Sequence, residues 1–166
     1  MGFFSKLFGK TEEKANPNHL YAPMAGAAVS ITEVPDPTFA EGMLGNGIAV
    51  IPTDGRVCAP CDATVDVVFT NGHAVSLITD FGAEILIHVG LGTAAQETRF
   101  FTTHIRSGQR VKQGDLLIEA DLAAAAAAGL DLTTPMLVSN ASEFAEIQIH
   151  TGTDVTNSDV VIQLTK

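Results

Sequence analysis

The side chains of this sequence best suited to chemistry are two histidines, His73 and His88, which lie near the outer ends of two successive apolar runs. Turn residues at 80–82 separate the runs, and this pattern predicts a β-hairpin. A two-residue loop within 80–82 would place His73 directly opposite His88 or diagonally beside it, with both rings on one face of the sheet. A three-residue loop would instead place Ala74 opposite His88. We expect the two-residue loop, and with it two neighbouring imidazoles.

Two neighbouring imidazoles can support more than one kind of chemistry. A ring nitrogen that is unprotonated near neutral pH can attack phosphorus, while an N–H of the second ring stabilises the phosphoryl oxygens. The same two rings could instead bind zinc, with Cys58, Cys61 or a carboxylate completing the site. A cross-strand pair that only packs is the third interpretation. The two residues by themselves leave all three open.

Short apolar runs must position these histidines. From His19 onwards such runs alternate with Gly, Pro, Asn and Asp, which predicts an all-β sandwich or barrel with short helices. Helices are predicted only at Leu122–Ala128, an alanine run closed by Gly129, and at Ser142–Ile147. Neither helix carries a reactive side chain, so we interpret both as scaffold.

Composition excludes several classes of function. The chain has 166 residues and a net charge of −10, with Lys+Arg 9 against Asp+Glu 19, so a nucleic-acid partner is not expected. The hydrophobic share of 46% is that of a folded protein, and no stretch approaches the roughly 20 apolar residues that span a bilayer. These features predict a cytoplasmic protein.

The first 18 residues differ from the rest of the chain in the spacing of their apolar residues and in their positive charge. Phe3, Phe4, Leu7 and Phe8 lie at helical spacing, and lysines flank them. Residues 1–14 are therefore suited to peripheral contact with an anionic membrane, although docking on the domain and no role at all are open alternatives. We predict an N-terminal amphipathic tail and linker at 1–18 and a single domain at 19–166.

The two cysteines form a C-x-x-C pattern, Cys58-Ala-Pro-Cys61. Such a pair can be redox-active or half of a metal site when it lies at a helix N-terminus or near other ligands. Here it flanks a strand end. We therefore favour two small hydrophobic side chains that fill apolar positions.

Several motifs follow one another from about Tyr21 to the end of the chain. They are APMAG at 22–26, EVPDP at 33–37 with FAE at 39–41, GNGIA at 45–49, the segment leading into HA at 73–74, EILIHVG at 84–90, GQRV at 108–111 with GD at 114–115, and TP at 134–135 with SN at 139–140. In this order and spacing they resemble the enzyme IIA component of the glucose family of the bacterial phosphoenolpyruvate:sugar phosphotransferase system.

The resemblance implies a fold, a reaction and partners. The fold would be an antiparallel β-sandwich. His88 would accept a phosphoryl group from the histidine-containing phosphocarrier protein HPr, and would pass it to a cysteine on the IIB domain of a glucose-type permease. His73 would stabilise the phosphate and assist its transfer. No cofactor is implied, beyond adventitious or regulatory zinc at His73 and His88.

The resemblance also implies a docking rim around the two histidines. Its apolar members match Phe39, Met43, Leu44, Phe69 and Leu86, and Asp36 would contact a basic group on HPr. When unphosphorylated, the same surface would bind regulatory target proteins, because an added phosphate would place negative charge within an apolar face.

The sequence departs from the family's pattern beside the site. Gly92 stands where an Asp is common, and the segment from Thr98 to Phe101 replaces G-E-G-F. Asn71 stands where the family has Thr, and its side chain is the candidate hydrogen-bond partner of His73. These changes bear on partner contact rather than on the two histidines. A purely regulatory protein and a His/Cys zinc protein are the alternatives to the carrier.

Overall fold

The computed structural model describes residues 18–95 and 100–166 of the chain. Its strands are β1 His19–Tyr21, β2 Gly26–Ser30, β3 Asn46–Pro52, β4 Arg56–Cys58, β5 Ala63–Val68, β6 Ala74–Thr79, β7 Glu84–His88, β8 Phe101–Thr103, β9 Arg110–Val111, β10 Leu116–Ala120, β11 Thr134–Val138, β12 Glu146–Ile149, β13 Asp154–Val155 and β14 Val160–Thr165. The helices are α1 Pro37–Ala40 and α2 Leu122–Ala127, and 3-10 turns occupy Ile31–Glu33, Thr93–Ala95 and Ala141–Glu143.

The strands form one large sheet and two small ones. The eight-stranded sheet has the order β13-β2-β3-β11-β7-β6-β5-β9, and the three-stranded sheets have the orders β1-β14-β12 and β4-β10-β8. The ladders between these strands are antiparallel. The predicted all-β antiparallel sandwich with short helices is confirmed.

The main core fills the space between the large sheet and the small sheets. Ile85 and Ile87 of β7 belong to it, together with Leu117 of β10 and Ile162 of β14. Because successive side chains of a strand point to opposite faces, the inward direction of Ile85 and Ile87 sends Leu86 and His88 to the outer face of the large sheet.

A smaller apolar cluster lies on that outer face. It joins Ile31, Val34 and Phe39 to Ala49 of β3 and Leu137 of β11. Asp36 begins α1 by accepting a hydrogen bond from the Thr38 N–H at 3.0 Å, and Pro37 occupies the first helical turn. The segment 31–40 is thereby fixed beside the end of β7, where His88 stands.

Of the two helices predicted from the sequence, the structure contains one. The alanine helix is confirmed as α2, which is capped by Asp121 and followed by Gly129 at φ +80°. The helix predicted at Ser142–Ile147 is wrong, because this segment holds a short 3-10 turn and then enters β12. Pairing of Ile147 with Leu164 of β14 competes with the local helical preference and prevails.

The register of the β6–β7 hairpin differs from the expectation. Its loop has three residues, 80–82, and the Thr79 N–H closes it by donating to the Ala83 carbonyl oxygen at 2.9 Å. As a result Ala74, and not His73, lies opposite His88. The last loop residue is a glycine at φ +93°, the left-handed conformation that three-residue hairpin loops require.

Some sequence-based expectations fall outside the described residues. The tail, up to residue 17, is one of them, and Thr98 and Arg99 are two more. Within the described ranges, no helix is long and apolar enough to span a bilayer.

Candidate functional site

The two histidine rings meet in spite of the shifted register. Their ring centroids are 5.0 Å apart and the ring planes are inclined by 72°. His73 stands one residue before β6, after a tight turn in which the Gly72 N–H donates to the Phe69 carbonyl oxygen and Gly72 has φ +75°. The alternation of a regular strand therefore does not determine the direction of the His73 ring, and the turn brings it to His88.

His88 is held in one tautomer. Its Nδ1 lies 2.8 Å from the carbonyl oxygen of Gly90. Because a carbonyl oxygen can only accept a hydrogen bond, Nδ1 carries the hydrogen and donates it. In the neutral ring, Nε2 then has the free lone pair. A lone pair at a defined ring position is what a nucleophile requires.

The surroundings of His88 keep its ring neutral. Burial lowers the pKa of His88 below its ordinary value, and this effect outweighs the Gly90 carbonyl and the Asp36 carboxylate, which both favour the charged form. The Phe39 ring packs against the imidazole, with ring centroids 5.2 Å apart. At neutral pH the ring is therefore uncharged and able to act as a nucleophile.

His73 is more deeply buried than His88, with 5% of its surface exposed. Its ring contacts Phe69 edge-on, with 5.8 Å between the ring centroids. Burial first, and the neighbouring His88 second, lower the pKa of His73. Both histidines are therefore neutral at pH 7.

The buried Nδ1 of His73 has no hydrogen-bond partner within the described ranges. Asn71, the predicted partner, directs its side-chain N–H at the carbonyl oxygen of Ala94, at 3.2 Å. The hydrogen bond expected between Asn71 and His73 is therefore not seen at this ring nitrogen. Since buried N–H groups without an acceptor are rarer than unsatisfied acceptors, the geometry favours a hydrogen on Nε2 of His73.

Gly90 is suited to its position by its lack of a side chain. It has φ +88°, and a Cβ built there would lie 2.6 Å from the Thr93 methyl group and 2.7 Å from a methyl group of Leu132. The chain can turn so tightly after β7 only with glycine at this point. This turn brings the Gly90 carbonyl oxygen back to His88.

The predicted docking rim is partly exposed. Met43 is 72% exposed, and Leu44 and Phe69 are each 38% exposed. Leu86 is half-buried beside His88 on the outer face, and Asp36 is partly buried at the start of α1.

Phe39 differs from the other predicted rim residues. It is only 4% exposed and belongs to the small outer cluster, so it presents little surface to a partner. The expectation that it lines an exposed rim is corrected: Phe39 instead packs under the His88 ring.

Two apolar side chains of the same face were not predicted. Val67 of β5 and Ile78 of β6 are each 43% exposed. They share the face of Leu86 because Ser76 pairs with both Val67 and Leu86, and Ile78 lies two residues from Ser76. Period-two alternation in the run after His73 is the sequence signal that would have identified Ile78.

The cysteines lie apart from this chemistry. Cys58 and Cys61 are unpaired and buried, and Cys61 is part of the main core. Burial raises the pKa of Cys61 to about 12 and also raises that of Cys58, so neither thiol is activated. Residues 18–95 and 100–166 contain no group of three His, Cys, Asp or Glu side chains arranged to hold a metal ion.

Gly92, the other departure beside the site, is exposed in the turn after β7. It has φ +69°, and a Cβ at this position would meet nothing within 4 Å. The turn at 90–93 therefore has open space, rather than an acidic side chain, at this point.

Comparison with known proteins identifies the family. Residues 18–144 match the family described as phosphoenolpyruvate-dependent sugar phosphotransferase system, EIIA 1. A PTS system glucose-specific EIIA component of Haemophilus influenzae is 37% identical over 166 residues, which cover 100% of both chains. A PTS system beta-glucoside-specific EIIBCA component of Dickeya chrysanthemi is 46% identical over 129 residues, which make up 78% of this chain and 20% of that protein.

The fold agrees with a solved structure. Glucose permease IIA from Mycoplasma capricolum superimposes with a TM-score of 0.78 at 29% sequence identity, over 87% of this chain and 93% of that one. The chain spans about a fifth of the length of several EIIBCA relatives and the full length of the free-standing Haemophilus protein. By sequence and by fold, the chain belongs to the EIIA 1 family of the phosphoenolpyruvate-dependent sugar phosphotransferase system.

Proposed function

We propose that this chain is a phosphohistidine carrier of sugar uptake. Nε2 of His88 accepts a phosphoryl group from the phosphohistidine of HPr and passes it to a cysteine on the IIB domain of a glucose-type permease. The observation that carries this proposal is the Nδ1–H hydrogen bond from His88 to the Gly90 carbonyl oxygen at 2.8 Å, which leaves Nε2 as the free nucleophile.

The acceptance step needs no proton transfer. The lone pair of His88 Nε2 forms a bond to phosphorus as the P–N bond of the HPr phosphohistidine breaks, and the bonding pair returns to the HPr ring. The His88 ring gains positive charge, which its Nδ1–H shares with the Gly90 carbonyl oxygen. In the onward step the P–N bond to His88 breaks, a P–S bond forms on the cysteine thiolate, and the lone pair returns to Nε2.

His73 supplies a hydrogen-bond donor for the phosphoryl oxygens. With its buried Nδ1 unpartnered within the described ranges, the neutral ring carries its hydrogen on Nε2, and its ring centroid lies 5.0 Å from that of His88. A neutral N–H donor stabilises charge that spreads over these oxygens in the transition state. The carrier needs no cofactor for either step.

Docking of both protein partners uses the outer face of the large sheet. Met43, Leu44 and Phe69 are exposed, the Phe69 ring contacts His73, and Asp36 is close enough to influence the His88 ring. Apolar side chains around a reactive centre are suited to a protein partner, and the net charge of −10 attracts a basic one. Names of relatives that join B, C and A components agree with a IIB domain as the recipient.

Regulatory binding to other proteins is a second function that the same face supports. A phosphoryl group on His88 would place about two negative charges among the exposed apolar side chains and weaken such binding. We place both activities in the cytoplasm, at its boundary with the membrane that holds the permease. The zinc alternative lacks a third ligand near His73 and His88 within residues 18–95 and 100–166.

Phosphate labelling tests the carrier. The protein is incubated with labelled phosphoenolpyruvate, enzyme I and HPr, and we expect one acid-labile, base-stable phosphate per chain. His88→Ala should take up no label, whereas His73→Gln should accept the label but pass it to a IIB domain at least about tenfold more slowly. His150→Ala, a change at an exposed histidine outside the site, is the matched control and should behave as wild type. An unlabelled wild-type protein, or a label that persists in His88→Ala, contradicts the proposal.

A further inference from the structure

The turn after β7 ties the two histidines together through one residue, Val89. The Val89 N–H donates to the carbonyl oxygen of His73 at 2.6 Å. Its own carbonyl oxygen accepts a hydrogen bond from the hydroxyl of Thr93 at 2.7 Å. The next carbonyl along the chain, that of Gly90, accepts the His88 Nδ1–H. Thr93 therefore holds the carbonyl of Val89, and the next carbonyl along the chain, that of Gly90, fixes the His88 tautomer.

Thr93 also packs against Gly90, the glycine of this turn. Its methyl group fills the space where a Cβ of Gly90 would lie, and no part of the Thr93 surface is exposed. A glycine has little conformational preference of its own, so its neighbours must fix the direction of the Gly90 carbonyl. On the far side, the Leu91 N–H is held by the Asp131 carbonyl oxygen at 2.8 Å. The Thr93 hydroxyl, by contrast, is a contact that a side chain of the turn itself supplies.

We propose that Thr93 is a positioning residue whose hydroxyl sets the tautomer of His88; the inference rests on the proposed carrier function. Loss of the hydroxyl leaves the buried Val89 carbonyl oxygen unsatisfied, and the turn relaxes to find another donor. The Gly90 carbonyl then moves away from His88 Nδ1. An imidazole without this acceptor can carry its hydrogen on Nε2, which removes the lone pair that attacks phosphorus.

Two substitutions separate the hydroxyl from the methyl group. Thr93→Val keeps the side-chain volume and removes the donor, whereas Thr93→Ser keeps the donor and removes the methyl group. The readout is the pair of ¹⁵N chemical shifts of the His88 ring in the unphosphorylated protein at pH 8, together with the single-turnover rate at saturating phospho-HPr. For Thr93→Val we expect ring shifts that move towards a mixture of tautomers and a rate lower by roughly tenfold. Thr93→Ser should retain the wild-type shifts and a rate within about threefold.

Thr79→Val controls for a general loss of stability. Thr79 is a buried threonine at the other end of the same hairpin, where its hydroxyl oxygen accepts the Ala83 N–H at 2.8 Å. This change should lower the urea midpoint and leave the His88 ring shifts unaltered. Wild-type shifts in Thr93→Val, or equal changes in Thr93→Val and Thr79→Val, would overturn the inference. Because the ring shifts are measured without phosphate, a chain that accepts no phosphoryl group would refute the carrier while the tautomer result still stands.

Discussion

At the scale of single residues, His88 combines a fixed tautomer with a low pKa. Burial disfavours the imidazolium, so the ring stays neutral as the pH falls past its ordinary value and becomes protonated only in more acidic solution. Protonation would place a hydrogen on Nε2. Acceptance of phosphate should therefore be independent of pH from 8 down to the lowered pKa of His88, and should decline below it.

The Asp36 carboxylate partly opposes the lowering of the His88 pKa, so its removal should change that pKa. The carboxylate favours the charged His88 ring, so Asp36→Asn should lower the pKa of His88 further. Asparagine caps helices as well as aspartate does, and α1 should persist. An NMR titration of the His88 ring protons measures the change. Glu33→Gln removes the same charge from a residue that does not shift the His88 pKa and should leave the titration unaltered; an unchanged or raised pKa in Asp36→Asn would contradict the assignment.

At the scale of elements, the β6–β7 hairpin is held at its tip as well as at its histidine end. Asn140 follows β11 and its side chain makes two hydrogen bonds to the hairpin backbone: Oδ1 accepts the Glu84 N–H, and Nδ2 donates to the Gly82 carbonyl oxygen, both at 2.9 Å. This side chain thus satisfies both a donor and an acceptor beside the three-residue loop, and holds β7 in its register.

Truncation of Asn140 should therefore cost stability without affecting chemistry. We expect Asn140→Ala to lower the free energy of unfolding by about 2 kcal/mol, because two partly buried backbone groups lose their partner. Urea unfolding with an unchanged m-value is the measurement. Ser142→Ala, two residues on and exposed, should change the unfolding free energy by less than about 0.5 kcal/mol. Equal effects of the two changes would show that the Asn140 contacts are not stabilising.

At the scale of the whole molecule, the large exposed apolar side chains of the described residues share one structural unit, the eight-stranded sheet with its connecting loops. They belong to the outer face of the eight-stranded sheet or to loops beside it, and they are Met43, Leu44, Ile51, Val67, Phe69 and Ile78. The other face of this sheet is buried in the main core. Exposed apolar side chains on this face, with the Phe69 ring against His73, indicate an interaction surface.

This arrangement predicts separate effects on docking and chemistry. The double variant Met43→Ser with Leu44→Ser should raise the KM for phospho-HPr by roughly tenfold and leave kcat unchanged, because the apolar contacts are lost while His88 is untouched. Steady-state transfer kinetics measure both constants. Gln148→Ser, an exposed change on β12 of a small sheet, should alter neither constant. A fall in kcat alone would place these side chains in the chemistry and not in docking.

The amino-acid sequence predicted many of the strands, one of the two helices and the two histidines of the candidate site. Apolar runs between Gly and Pro indicated the strands, and the alanine run indicated α2. The ordered motifs from about Tyr21 to the end of the chain indicated the family, and with it the second histidine of the candidate site. These features were predictable because they depend on local periodicity, local turn chemistry and residue identity.

Only the tertiary structure decided how these parts fit together. The hairpin loop at 80–82 closed with three residues, and β12 formed where a helix was expected, because contacts with Asn140 and β14 outweigh local preference. The burial of Phe39 and the hydrogen bond from His88 to Gly90 depend on segments that are distant in sequence or on a turn whose shape only its packing fixes. The sequence by itself thus pointed to His88 as the candidate phosphoryl acceptor, whereas the packing of the folded chain leaves Nε2 as the free nitrogen atom of its ring.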